Sequence, residues 1–269
     1  MENRPFLPAR LFRRPPRVNI VRLQGMIAAG GRGQLSDASV APLVERAFRA
    51  GKPKAVGLVV NSPGGSPVQS ALIGARIRRL ADETKVPVHA FVEDAAASGG
   101  YWIACAADEI YCDAASILGS IGVISAGFGL QGAIARLGVE RRVHTAGQSK
   151  SQMDPFRPEN PEDVVRLKGL LEQMHGVFID HVKARRGDKL NTETNLFDGR
   201  FWLGAEAIRL GLADGLGHPV PVYKRQFGDK TRFRVFGPRR RLLSRLGLSL
   251  AEQTLAGVEE AALWARLGM

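Results

Sequence analysis

The sequence has few cysteines and no long hydrophobic run, and both absences narrow the class of protein. Its two cysteines, Cys105 and Cys112, form no CxxC pair and have no histidine cluster beside them, which argues against a disulfide framework and a zinc site. No apolar stretch approaches the roughly 20 residues of a transmembrane helix. Met1–Arg17 also lacks the apolar core of a secretory signal. We therefore expect a cytoplasmic protein in a reducing compartment, with no transmembrane segment or signal peptide.

Acidic residues are scarce at the two ends of the chain, where the net charge of +12 is concentrated. Residues 1–22 hold six arginines against one glutamate, and residues 224–245 hold nine lysines or arginines against one aspartate, so the rest of the chain is near neutral. A solubilising, partly disordered basic flank is the simpler interpretation. The functional hypothesis is peripheral contact with anionic lipid at the inner face of a bacterial membrane. The flanks do not lead us to expect a nucleic-acid partner.

Strand and helix signals alternate along the chain. The predicted strands are Val18–Leu23, Ala55–Val60, Val86–Val92, Ile110–Tyr111, Ile121–Ile124 and Glu140–His144. The predicted helices begin near Ser36, Pro67, Ser98, Phe128, Asn160 and Ala205, and a last one, capped by Ser249 and Glu252, reaches Leu267. Repeated strand–helix units predict an α/β protein with parallel strands. The strands are continuous apolar runs, as is typical of a sheet covered on both faces.

The helix that begins after Asn160 is the longest one predicted. Asn160 is a good N-cap and Pro161 suits the first helical position. Apolar residues recur every three or four positions, at Val164, Leu167, Leu171, Met174, Phe178 and Val182. This spacing predicts one apolar face, which we interpret as part of the core.

Ser98 is the first candidate for chemistry. Three alanines precede it and Gly99 follows it, so a substrate backbone can approach closely. The amide of Gly99, at the start of a predicted helix, is placed to stabilise a developing oxyanion. The structural alternative is that Ser98 is only the N-cap of that helix, a commoner role for serine.

A second small-residue loop, Asn61–Ser66, follows a different buried strand. Its paired glycines can expose backbone amides, and Gly65 is the better candidate for a second oxyanion donor. The alternative is a plain turn between strand and helix. The loop is not a phosphate-binding loop, because it lacks the GxxxxGK[ST] pattern.

A nucleophilic serine needs a base, which is usually histidine or lysine. None of the five histidines has the surroundings of a catalytic triad. Lys150 lies in a small polar loop, residues 145–151, with no acidic residue directly beside it. Lysine acts as a base only when it is neutral, a state that burial promotes. The alternative is an ordinary solvated lysine.

The order of these motifs resembles a known family. The matching segments are Asn61–Ser66, Ala97–Tyr101, Gly119–Val123, Gly147–Lys150 and, further on, Asp198–Arg200, Gly204, Glu206–Ala207, Gly211–Leu212 and Asp214. Together they resemble the signal peptide peptidase A family, the S49 serine peptidases. The resemblance covers about Val18 to Gly217.

The resemblance implies a fold and a set of roles. The fold would be α/β, a Clp/crotonase-type spiral of stacked β-β-α units, here with a C-terminal helical extension. Ser98 would be the nucleophile, Lys150 the general base and Ser120 the residue that orients the lysine. The amides of Gly65 and Gly99 would form the oxyanion hole. Family members cleave residual signal peptides and other peptides, assemble into rings or domes, and need no metal or other cofactor.

Two departures from the family pattern qualify the expected substrate. Typical members have an N-terminal membrane anchor, which we do not expect in this chain, and the full domain occurs once, as in the shorter members, and not as a tandem copy. A soluble or peripheral peptidase is therefore the expectation, with signal peptides as one hypothesis. The predicted domains are an Arg/Pro-rich segment over 1–17, a peptidase domain over 18–222, and a basic linker with a helix over 223–269.

Two rival functions remain open. A crotonase-type acyl-CoA enzyme also needs paired backbone amides, but such enzymes usually act through carboxylates, and no matching glutamate pair flanks the two loops. The second rival is a catalytically inactive scaffold, or an assembly partner of an active S49 peptidase.

Overall fold

The computed structural model describes residues 15–30, 34–147, 149–237 and 261–269. The strands are β1 (Arg17–Gln24), β2 (Ala55–Ser62), β3 (Val88–Ala97), β4 (Glu109–Cys112), β5 (Ile117–Gly119), β6 (Phe201–Leu203), β7 (Gly215–Leu216) and β8 (Arg232–Phe236). The helices are α1 (Asp37–Arg49), α2 (Pro67–Thr84), α3 (Gly99–Ala104), α4 (Gln131–Arg136), α5 (Pro161–Arg186), α6 (Gly204–Arg209) and α7 (Pro219–Phe227). Residues 261–266 are also helical.

The strands form one sheet in the order β6-β5-β3-β2-β1-β8, with β4 and β7 on a branch from β3. All pairings are parallel except that of β5 with β6. The branch arises because β3 pairs with β4 along His89–Val92 and with β5 along Ala95–Ala97. The carboxyl ends of β2, β3 and β5 therefore meet at one edge of the sheet.

Both faces of the sheet are covered, as the apolar runs predicted. Every residue of β2 is buried. The larger core cluster packs α1, α2 and α3 against the sheet through residues such as Phe48, Ile73 and Ile103. On the other face, Tyr223 of α7 packs with Phe91 and with β1.

The predicted helix caps are confirmed. Ser36 accepts a hydrogen bond from the Ser39 amide, and the Ser39 side chain accepts one from the Ser36 amide. Asn160 accepts from the Glu162 amide at the start of α5. Local side-chain chemistry thus determines where these helices begin.

Two predicted strands were wrong. Ile121–Ile124 and Glu140–His144 belong to no strand, because neither segment pairs with another strand among the described residues. Ile121 is buried in the larger core cluster. The rest of both segments lies within residues 122–147 and 149–177, which contain no buried residue; we call these residues the arm. The apolar face predicted for α5 is likewise buried only at its C-terminal end, at Phe178 and Val182.

The folded region extends further than the sequence suggested. Residues from 223 onward were expected to be a basic linker, but they include the end of α7 and the strand β8. β8 pairs in parallel with β1, and Phe236 is buried in the larger core cluster. The predicted cap at Ser249 and Glu252 lies outside the described residues, as does most of the N-terminal segment.

A buried ion pair leads to a prediction about stability and pH. Asp214 accepts hydrogen bonds from Arg186 at 2.7 Å, from Lys189 at 2.7 Å and from the Ile110 amide at 2.7 Å. Burial alone would raise the pKa of Asp214, but these hydrogen bonds outweigh it and hold the pKa below its usual value. We expect Asp214→Asn to lower the free energy of unfolding by about 3 kcal/mol at neutral pH, because Arg186 then keeps a buried charge without a carboxylate.

The sign of the pH dependence follows from the lowered pKa. The stabilisation is present above the pKa of an unfolded aspartate, about 3.9, and is lost as the pH falls through the folded value. We therefore expect the difference in the free energy of unfolding between wild type and Asp214→Asn, measured with urea, to be smaller near pH 3 than at neutral pH. Glu206→Gln, at an exposed pair with Arg209, is the control and should change stability little. An equal loss at both pH values would contradict this account.

Candidate active site

Ser98 lies in the sharp turn between β3 and α3. Its backbone has φ 50° and ψ −119°, a conformation that favours glycine and costs a serine about 1–3 kcal/mol. The Ser98 side chain makes no capping hydrogen bond to α3, and within the described residues its hydroxyl has no hydrogen-bond partner. The alternative role as a simple N-cap therefore finds no support in this geometry.

The Asn61–Ser66 loop packs directly against Ser98. A Cβ atom placed on Gly64 would lie 2.8 Å from the Ser98 Cβ and 3.0 Å from the Gly99 nitrogen. Gly64 also has φ +104°. The sequence drew attention to its neighbour Gly65 instead, so the contact of Gly64 with the nucleophile candidate was missed. The pair of glycines after a buried strand was the available signal.

The two candidate oxyanion donors have unused amides. On either side of Gly65, the Gly64 carbonyl accepts from the Ile27 amide at 2.8 Å and the Ser66 amide donates to the Ile27 carbonyl at 2.7 Å. These bonds fix the loop, while no acceptor among the described residues engages the Gly65 amide. Gly99 is the first residue of α3, where the amide has no acceptor within the helix.

Ser120 lies beside Ser98 because their strands are paired. Ala97 of β3 is opposite Gly119 of β5, and the Ser98 amide donates to the Gly119 carbonyl at 2.8 Å. Neighbouring strands are about 4.8 Å apart, so the serines that follow these residues are close together. Ser120 also has a positive φ of 53°, and its amide donates to the Arg200 carbonyl at 2.7 Å.

The structure of the single chain does not bring Lys150 into this group. Lys150 is exposed, in a turn of the arm where its amide donates to the Gly147 carbonyl at 3.2 Å. Among the described residues, no hydrogen bond or ion pair involves its ammonium group. The burial that the sequence-based mechanism requires is therefore absent from the isolated chain.

The C-terminal end of α3 is held by α5, which sequence reasoning did not foresee. His181 bonds the Trp102 carbonyl at 3.1 Å and stacks on the Trp102 ring. Arg185 donates to the carbonyls of Cys105 at 2.9 Å and Ala107 at 3.0 Å. These contacts fix the short helix whose first turn carries Ser98. No group of residues suited to a metal ion occurs within the described part of the chain.

Gly64→Ala tests the close approach of this loop to the site. The added methyl group needs the space of the Ser98 side chain and of the Gly99 amide, and the positive φ of Gly64 disfavours alanine. If Gly99 is an oxyanion donor, as the sequence predicts, peptide hydrolysis should fall at least about 100-fold when its amide is displaced. Gly237→Ala, directly after β8 and outside the arm, is the control and should retain activity, because the nearest atom to its Cβ position is the Arg22 Cβ at 3.8 Å. Full activity in Gly64→Ala would show that the loop does not border the reacting atoms.

Solved structures identify the class of fold. A membrane-bound stomatin-specific protease, 1510-N, solved as a serine-to-alanine variant, superposes with a TM-score of 0.52 at 15% sequence identity, over 84% of this chain and 99% of that one. A lysine-to-alanine variant in complex with a substrate peptide gives a TM-score of 0.50 at 14% identity. The fold is therefore the Clp/crotonase type, an α/β fold.

Sequence comparison then identifies the family. The model of peptidase family S49 matches residues 81–226. A protein of Synechocystis described as a protease is 31% identical over 208 residues, covering 77% of this chain and 72% of its own length. The chain belongs to peptidase family S49.

A third similarity carries a different name. A protein of Brucella melitensis named as the Na(+)/H(+) antiporter NhaA is 45% identical over 282 residues, a match that covers 98% of this chain. The chain spans only 38% of the length of that relative, so the relative's name describes a much longer protein. Within the described residues, no helix is both long and apolar enough to cross a bilayer.

Proposed function

We propose that the chain is a serine peptidase that hydrolyses peptide bonds through an acyl-enzyme formed on Ser98. The observation that carries this proposal is the strained turn at Ser98, where the hydroxyl has no hydrogen-bond partner among the described residues and Gly64 packs against the Ser98 side chain. Backbone strain of this kind concentrates at functional sites. A serine that served only as a cap would use its hydroxyl locally.

The proposed mechanism is acyl transfer to water. Neutral Lys150, oriented by the Ser120 hydroxyl, takes the proton of Ser98 while the Ser98 oxygen attacks the scissile carbonyl. The amides of Gly65 and Gly99 stabilise the oxyanion. Lys150 then protonates the leaving amine as the peptide bond breaks, and it activates a water molecule that releases the acyl group and restores Ser98.

We further propose that a second copy of the chain completes the site. The arm holds Lys150 and has no buried residue, yet it carries a series of large apolar side chains that are exposed. They are Ile124, Phe128, Leu130, Leu137, Val139, Met153, Val165, Leu170, Met174 and Val177. Apolar surface of this extent is typical of a protein–protein interface. Self-association in a ring or dome would cover it and remove Lys150 from water.

Peptides are the proposed substrates, with residual signal peptides as the finer hypothesis. A relative in Enterococcus faecium, 32% identical over 165 residues, is described as a signal peptide peptidase SppA, and the match covers 61% of this chain and 48% of that protein. Peripheral contact of the Arg-rich residues 1–17 with anionic lipid would bring the peptidase to such substrates.

Hydrolysis of a peptide library by the full chain tests the proposal. We expect cleavage products in mass spectrometry that require Ser98, with no added metal. A well-folded oligomer that cleaves no peptide would support the rival function of an inactive scaffold. Thioester hydrolysis that persists in Ser98→Ala would support the crotonase-type rival.

A further inference from the structure

A cavity of about 610 Å³ lies at the edge of the sheet opposite the Ser98 site. Its floor is apolar, formed by Phe48, Pro53 and Val86, and its remaining lining is Thr84 and four basic residues. These residues are Arg49, Lys52, Lys54 and Lys85, and all four are exposed. Among the residues that the structure describes, no acidic side chain lines the cavity, and the four cations give it a positive potential.

The four basic residues differ from the arginines of the neighbouring helix. Each acid of α1 and α2 is already paired with an α2 arginine: Asp37 and Glu45 with Arg76, Asp82 with Arg78, and Glu83 with Arg79. Within the described residues, none of the four cavity cations forms an ion pair. Four like charges around one cavity repel one another, and an anion would remove that repulsion.

Helix dipoles explain only part of this arrangement. The carbonyl ends of α1 and α2 favour a nearby cation, which accounts for Arg49 and Lys85. They do not explain why lysine occupies two positions with left-handed backbone, Lys52 at φ 49° and Lys85 at φ 56°. Glycine would adopt these conformations at lower cost, so the backbone does not require lysine at either position.

Further positive charge enters at the same edge. The guanidinium of Arg17 lies over Gly51, next to Lys52, and the Arg17 carbonyl accepts from the Lys54 amide at 2.8 Å. Arg17 therefore adds to the positive charge beside the cavity.

We propose that this cavity binds the phosphate of an anionic phospholipid. Exposed cations around an apolar floor suit a headgroup that carries a negative phosphate next to apolar chains. The eight-residue strand β2 runs from the cavity to the Asn61–Ser66 loop, which places the Ser98 edge roughly 25 Å from the lipid surface. The site is independent of catalysis, so Ser98→Ala should bind lipid as wild type does.

Lys52→Gly/Lys85→Gly tests the proposal without threatening the fold. Glycine adopts a positive φ at lower cost than lysine does. The double variant therefore loses two cations without added backbone strain. In sedimentation with vesicles, we expect the full chain to bind phosphatidylglycerol-containing vesicles and to ignore pure phosphatidylcholine. The double variant should bind about 30-fold more weakly, as expected for two basic residues at a lipid surface. The control is Lys224→Ala/Arg225→Ala, which removes two positive charges from α7, on the face of the sheet opposite α1 and α2. Its affinity for the vesicles should stay within about threefold of wild type.

Two outcomes would overturn the proposal. If the glycine variant and the α7 control lose equal affinity, the cavity has no role beyond net charge. If inorganic phosphate gives binding heat that the glycine variant abolishes, while vesicle binding is the same for wild type and variant, then the cavity serves a soluble anion and not a lipid.

Discussion

Ser98→Ala should lower peptide hydrolysis at least about 1,000-fold, because the variant loses the hydroxyl on which we propose that the acyl-enzyme forms. The free energy of unfolding should change by less than about 0.5 kcal/mol, because the side chain makes no hydrogen bond within the described residues and the strained backbone remains. Initial rates on one cleaved peptide and urea unfolding measure the two effects. Activity within tenfold of wild type would rule out Ser98 as nucleophile.

Ser98→Gly separates the chemical role of this residue from its backbone strain. The variant should be as inactive as Ser98→Ala but more stable by about 1 kcal/mol, because glycine adopts φ 50° and ψ −119° at lower cost. If Ser98→Gly is more stable and inactive, the serine at this position lowers stability and is required for activity. If Ser98→Gly is less stable than wild type, the turn is not strained as the backbone angles indicate.

Lys150→Met should lower peptide hydrolysis about 1,000-fold, within the range that loss of a general base produces. Stability should not change, because Lys150 is exposed in the single chain. Lys168→Met, another exposed lysine of the arm, is the matched control and should keep nearly full activity. Nearly full activity in Lys150→Met would argue against Lys150 as the base.

A mixing experiment extends this prediction to the oligomer. If Lys150 acts on Ser98 of another copy, Ser98→Ala and Lys150→Met are each inactive alone. Co-assembled in equal amounts, they should recover about a quarter of the wild-type rate, from sites that receive both intact residues. A mixture that stays inactive would mean that each chain completes its own site by movement of the arm.

The sequence predicted the parts of the fold that depend on local chemistry. The caps at Ser36 and Asn160 and the buried strand after Ala55 are determined by residues within a few positions of one another, and the structure has them in place. The order of the small-residue loops also predicted the family. The proximity of Ser98 and Ser120 follows from the pairing of β3 with β5, a long-range contact for which the sequence offered only the resemblance.

The arm marks the limit of sequence-based prediction here. Glu140–His144 was predicted to be a strand, but a strand forms only with a partner, and the described residues provide none for this segment. The apolar residues of α5 near Met174 follow helical spacing whether they contact the same chain or another copy. Helical spacing shows that a face will be buried but not which surface will cover it. The sequence therefore could not predict where Lys150 lies relative to Ser98.

The most direct test of the proposed acyl-enzyme is to locate it. The full chain is mixed with an activated peptide ester, quenched in acid and mapped by fragment-ion mass spectrometry. The account predicts an acyl group on Ser98 in the wild type and none in Ser98→Ala. Turnover with the acyl group on another residue, and Ser98 unmodified, would contradict it.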